Sequence, residues 1–300
     1  MQINHDGARK AIRGLVYSIE GYRQRMRQDT APTENSIAER QIAQEQHKLV
    51  ASWSATPVEL SFATAEEHIG HAQDHLLALQ RLLPPPFQVF PICTLARSAL
   101  EASARAWWLL DPSISARKRV ARTMTDRLAG LLHANALEQR LGLEDMSSAR
   151  IHAIRESARQ HDFSLTARED AIEEELPSIT SLVTNLLEQV DPSLGRKAYY
   201  DLSNVAHSGL ARFLSDERQL PDLVINAEEA SESRHIQPLI AGIVIGMASY
   251  NRAVNRFFQI YGWDLSFLDT ISRQAYHDMR IALGFRNLPV NLIRLREEHA

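Results

Sequence analysis

Apolar residues recur every three or four positions through nearly every long segment of the 300-residue chain, while strict alternation is scarce. That period predicts an all-α protein, a multi-helix bundle with an N-terminal helical arm. Ile12, Leu15, Val16, Ile19 and Tyr22 form a narrow apolar stripe on a first helix over about residues 5 to 28. TAPTENS reads as a turn, and a second, polar helix follows over about 36 to 53, capped by Asn35 or Ser36. Both helices are charged around most of their circumference, so residues 1 to 56 are expected to form the arm and residues 57 to 300 the bundle with its C-terminal helices.

SATPVELS reads as a linker, and helices are predicted over about 62 to 83, 87 to 110, 113 to 141 and 148 to 160, punctuated by the PPP run at 84 to 86 and by Pro112. The acidic REDAIEEELPS is expected to open another helix, which Pro177 divides from ITSLVTNLLEQV. DPSLGRKAYYDLSNVAHSG supplies the next, with Gly209 suited to ending it. The most apolar helix, about 234 to 261, belongs at the bundle centre, where Gly242 and Gly246 let a neighbouring helix approach closely. Its run PLIAGIVIGMA falls far short of the ~20 residues that span a bilayer, so no membrane role is expected. Two amphipathic helices, broken near Gly284 to Pro289, complete the chain.

A hydrophobic content of 44% can fill one large core, and a net charge of −4 offers no global basic field for nucleic acid or acidic lipid. The single cysteine, Cys93, excludes an internal disulfide framework and a cysteine-rich zinc site, which fits a reducing, cytoplasmic setting. MQINHDGARKAIRG lacks the apolar segment of a secretory signal. No internal repeat and no glycine-rich phosphate loop occurs, and no cofactor is expected.

The chemistry concentrates in ARSALEASARAWWLLDP and YYDLSNVAHSG. Arg97 and Glu101 stand four apart on one helix, crowded by Leu95, Leu100, Trp107 and Trp108. A shielded ion pair is a poor source of stability, so its presence points to specificity or chemistry. Tyr199, Ser203 and His207 repeat the spacing of four on a second helix, with Tyr200 and Asn204 beside them. Histidine titrates near neutrality, and His207 suits general acid–base work if Glu101 or Tyr200 positions it. The plainer reading has His207 joining helices through buried hydrogen bonds. The candidate catalytic set is therefore His207, Glu101, Arg97, Tyr200 and Ser203. Arg119 and Arg122, three apart on the following helix, join Arg97 as a candidate phosphate or carboxylate site, against the alternative of a solvated basic face.

A helix reading R-S-x-L-E with a Trp-rich end and Asp-Pro, then an arginine-bearing helix, then Tyr-x-x-Leu-Ser-x-x-x-His, resembles uncharacterised bacterial helical proteins related to the HEPN superfamily. The resemblance covers about residues 62 to 261. It implies a four-to-five-helix bundle, commonly a homodimer, and a metal-independent ribonuclease of toxin or phage-defence systems whose signature is an arginine, four to six residues and a histidine. No arginine stands at that distance before His207; the nearest upstream is Arg196. Arg155 and His161 satisfy the spacing on a different helix.

His68, His71 and His75 share one helix face with Glu67 and Asp74 alongside, a pattern that can hold a transition metal, although the face equally reads as a histidine-bearing surface with His75 reaching the polar centre. Paired Glu-x-x-His units are represented by Glu232 with His235 alone. Three functions follow: an RNA-acting or defence-associated protein, a non-catalytic sensor or interaction module whose arm pairs with a protein partner, and a metal-dependent helical-bundle oxidase.

Overall fold

The computed structural model describes residues 4–29, 32–48, 56–84, 88–191, 195–206 and 227–284. Among these residues the chain forms ten helices and no strand, apart from one isolated antiparallel bridge between Leu165 and Ile172. The helices are α1 (His5–Asp29), α2 (Ile37–Lys48), α3 (Pro57–Arg81), α4 (Val89–Leu109), α5 (Ala116–Leu141), α6 (Ser148–Gln160), α7 (Ile179–Val190), α8 (Gly195–Ala206), α9 (Ala227–Tyr261) and α10 (Ser266–Ala282).

Helix α4 is the hub, with α3 and α9 along its length and α7 and α8 on a further side. Ala96, Ala99, Ala104 and Ala106 keep its surface low enough for close packing. On α9, a Cβ at Gly242 would meet Leu202 Cδ2 at 3.1 Å and Ala96 Cβ at 3.4 Å, so the glycine admits both α8 and α4 against the same backbone. Gly246 does likewise beside Leu76 and Ala96. The close approach expected at these glycines thus fixes α9 behind the segment that carries Arg97.

The N-terminal segment is packed more deeply than a narrow stripe suggests. Ala8, Ile12, Leu15, Val16 and Ile19 are buried in the same hydrophobic cluster as α3, α4 and α9, and α1 lies against α10 and α3. The α1–α2 turn is pinned to the end of α9, where the Thr33 amide donates to the Tyr261 carbonyl at 3.0 Å. Gly262 there takes φ +69°, and a Cβ would overlap Thr33 Oγ1. At the other end the Asn4 amide donates to the Ala282 carbonyl at 2.7 Å. Few apolar residues per turn sufficed because α10 supplies a second amphipathic face to cover them.

Three sequence-based boundaries move. Pro57 opens α3 at its first turn, so the helix starts inside the expected linker. α5 starts after Ser115, whose side chain accepts from the Lys118 amide, so Pro112 precedes the helix instead of joining its first turn. The acidic stretch after Arg168 opens no helix, because its carboxylates pair with basic side chains: Glu173 with Arg117, Glu174 with Lys118 and Arg122, and Glu169 with Arg159. Helix α7 instead begins after Ser178, which caps it by accepting from the Ser181 amide. No helix among the described residues is long and apolar enough to cross a membrane.

Candidate functional site

Between α3 and α4 opens a cleft of about 460 Å³, lined by His68, His71, Asp74 and His75 from α3 and by Ser98, Glu101, Ala102 and Arg105 from α4. Both helices present polar side chains at spacings of three and four, which stacks them on one face. Each wall is held by a tie that reaches a further helix.

The first tie joins α4 to α8. Arg97 Nε donates to Glu101 Oε1 at 2.7 Å, and the Tyr199 hydroxyl donates to the same oxygen at 2.8 Å. Arg97 Nη2 reaches the Tyr199 oxygen at 3.4 Å, with its guanidinium carbon 5.5 Å from the ring centre. Burial works against the Arg97 charge, but Glu101 and Tyr199 outweigh it and hold the guanidinium above its ordinary pKa. Burial, reinforced by the bond to Glu101, raises the Tyr199 phenol, so it remains a donor at neutral pH. Because both bonds end on Oε1, Glu101 Oε2 carries none among the described residues.

The second tie joins α3, α4 and α5. His68 Nε2 lies 2.9 Å from Asp126 Oδ2, and Arg105 bonds the other carboxylate oxygen. Burial opposes ionisation of Asp126, but His68 and Arg105 outweigh it and keep the carboxyl below its usual range. Between the two ties, burial and then the neighbouring His71 push His75 below the ordinary imidazole value, against a weaker upward pull from Asp74 and Glu101. His75 is accordingly neutral at pH 7, able to accept or donate one hydrogen bond.

The structure brings Arg97 and Glu101 together as their spacing suggested, and His75 reaches the polar centre. The phenol that joins them is Tyr199; Tyr200 is 55% exposed and makes no bond to either. Burial decides between the two, because Tyr199 shares the inward face of α8 with Leu202. Ser203 is half-buried on α8, and His207 lies outside the described residues.

Arg119 and Arg122 form no anion site. Arg119 is wholly buried, with its guanidinium bonded to the carbonyls of Leu109 and Asp111 and to Gln41 Oε1. Arg122 donates to the Trp108 carbonyl at 2.9 Å and pairs with Glu174 and Asp111. Arg256 adds a bond to the Trp107 carbonyl at 3.2 Å. The last carbonyls of a helix lack intrahelical partners and carry the negative end of its dipole, so three guanidinium groups cap α4. Of the basic opening of α5, Arg119 and Arg122 serve the preceding helix, while Arg117 and Lys118 pair with Glu173 and Glu174.

The metal reading of α3 does not gather donors. His68 is committed to Asp126, and among the described residues no group of three or more His, Cys, Asp or Glu is placed to hold one ion. The side chains of Glu232 and His235 lie outside the described residues. Arg155, of the histidine-spaced pair, donates to the Glu169 carbonyl at 2.8 Å.

Sequence reading missed two members of the second tie. Arg105 continues the Arg97–Glu101 spacing by four more residues, which is the signal that finds it. Asp126 announces itself only as a lone carboxylate within TMTDRLAGL, and its partners come from two other helices. Comparison with known proteins adds no relative: no protein-family model, no curated protein and no solved structure matches the chain.

Proposed function

We propose that the chain is a HEPN-like helical module that senses or binds a ligand through the α3–α4 cleft and performs no catalysis. One observation carries this reading: three of the side chains that line the cleft, Glu101, His68 and Arg105, also tie helices together. Glu101 faces the cleft and holds α8 through Tyr199, and His68 and Arg105 face it and hold α5 through Asp126. A ligand that engages Glu101 or His68 changes the ties on α8 and α5, which is what a sensor requires.

Ribonuclease chemistry needs a cation to meet the charge that develops on a phosphorane. Arg97 and Arg105 are committed to carboxylates, and Arg119 and Arg122 to the end of α4. Total cellular RNA incubated with wild-type protein and with a folded His207→Ala variant is expected to stay intact in both. Cleavage by the wild type that disappears in the variant overturns the proposal and establishes the RNA-acting reading.

We further propose a homodimer in the cytoplasm, formed at the α5–α6 turn. Leu137, Leu141, Leu143 and Met146 are 49%, 62%, 58% and 66% exposed within ten residues of chain. Gly142 ends α5 in the left-handed conformation, and Leu143 after it, which in such caps packs back on the helix, stays in solvent. The stripe of α1 that an N-terminal arm would offer to a partner is spent in the core, which moves the expected interface to this turn.

A further inference from the structure

We infer that the α3–α4 cleft takes a small organic cation bearing N–H donors, an aliphatic amine or a guanidinium compound; this rests on the reading of the cleft as the binding surface. The cleft offers acceptors. Among the described residues Glu101 Oε2 has no hydrogen bond and Asp74, exposed on the rim, has no ion pair, while His75 lines the same cleft in its neutral form.

The fixed cations do not change that balance. Arg105 is matched by Asp126 and Arg97 by Glu101, so the carboxylate of Asp74 is left over as net negative charge beside the opening. An anion entering here would meet Glu101 and Asp74 and, among the described residues that line the cleft, no uncommitted guanidinium. A protonated amine would place donors on the carboxylates and the imidazole, where charge-assisted hydrogen bonds are strongest. The lining also sets the type of cation. Among the described residues no Phe, Tyr or Trp lines the cleft, so they offer a quaternary ammonium no aromatic cage, whereas an N–H donor finds acceptors on both walls.

The test is calorimetric titration of the full chain near neutral pH and low salt with putrescine and agmatine, then with tetramethylammonium and inorganic phosphate. Putrescine or agmatine is expected to bind at one site per chain. Asp74→Asn, at an exposed position that ties no helices, is expected to weaken binding about three- to fivefold with unchanged thermal unfolding. Amine binding that Asp74→Asn leaves untouched, or tetramethylammonium binding as tightly as putrescine, overturns the inference. Phosphate binding that His75→Ala abolishes overturns the cation and leaves the cleft standing. Silence from every probe overturns cation and cleft together.

Discussion

Arg119→Met removes the guanidinium head from the interior while keeping most of the stem. The change orphans the Leu109 carbonyl and Gln41 Oε1 in buried surroundings and the Asp111 carbonyl nearer the surface. A buried polar group left unpaired costs about 1–3 kcal/mol, less for one that water can reach. Against this, burial already lowers the Arg119 pKa to about 10, a sign that holding the cation inside is itself costly, and the variant escapes that cost. The balance is a net loss of about 2–4 kcal/mol, which for a chain of this size lowers Tm by roughly 3–6 °C. Thermal unfolding followed by circular dichroism, with and without phosphate, reads both halves of the argument. Phosphate should leave the wild-type Tm unchanged. A variant within about a degree of wild type would refute the capping role. Phosphate stabilising the wild type but not the variant would restore the anion site.

Three other outcomes follow from the same geometry. Deleting residues 1 to 56 strips α1 from the face it shares with α10 and α3, so the truncated chain should aggregate or lose cooperative unfolding; a sharp transition near the wild-type Tm would return the segment to an independent arm. Asp126 has its folded pKa held below the unfolded value, so its stabilisation is present above about pH 4 and is lost as the pH falls through the depressed folded value. Acid titration of Asp126→Asn should therefore show a shallower stability loss in that window than wild type, and parallel curves would contradict the tie to His68 and Arg105. Cys93 is fully buried with its thiol pushed up to about 11, so a thiol reagent at pH 8 should label it only on unfolding.

Where one helix faces one core, periodicity carried the fold: the centre of α9, the glycines that let α4 approach it and the end of α5 all follow from local pattern. Context decided the remainder. The stripe of α1 looks too narrow for a core until α10 is laid across it, and nothing within residues 5 to 29 announces that partner. The arginines that open α5 look like a solvated or anion-binding face until the carbonyl end of α4 is placed beside them. At the candidate site, the pair Arg97 and Glu101 was legible because both residues lie on one helix. The choice between Tyr199 and Tyr200 and the role of Asp126 were not, because the first depends on which face of α8 is buried, and Asp126 acquires meaning only from α3 and α4.

The most direct measurement of the central claim is an NMR titration of the histidine imidazoles, resolved by residue, over pH 4 to 8. An acceptor-lined cleft with uncharged imidazole predicts that His75 titrates below the ordinary value of about 6.5 and that its resonances move when putrescine is added at pH 7. A His75 titrating at or above that value, with resonances indifferent to the amine, would contradict the account.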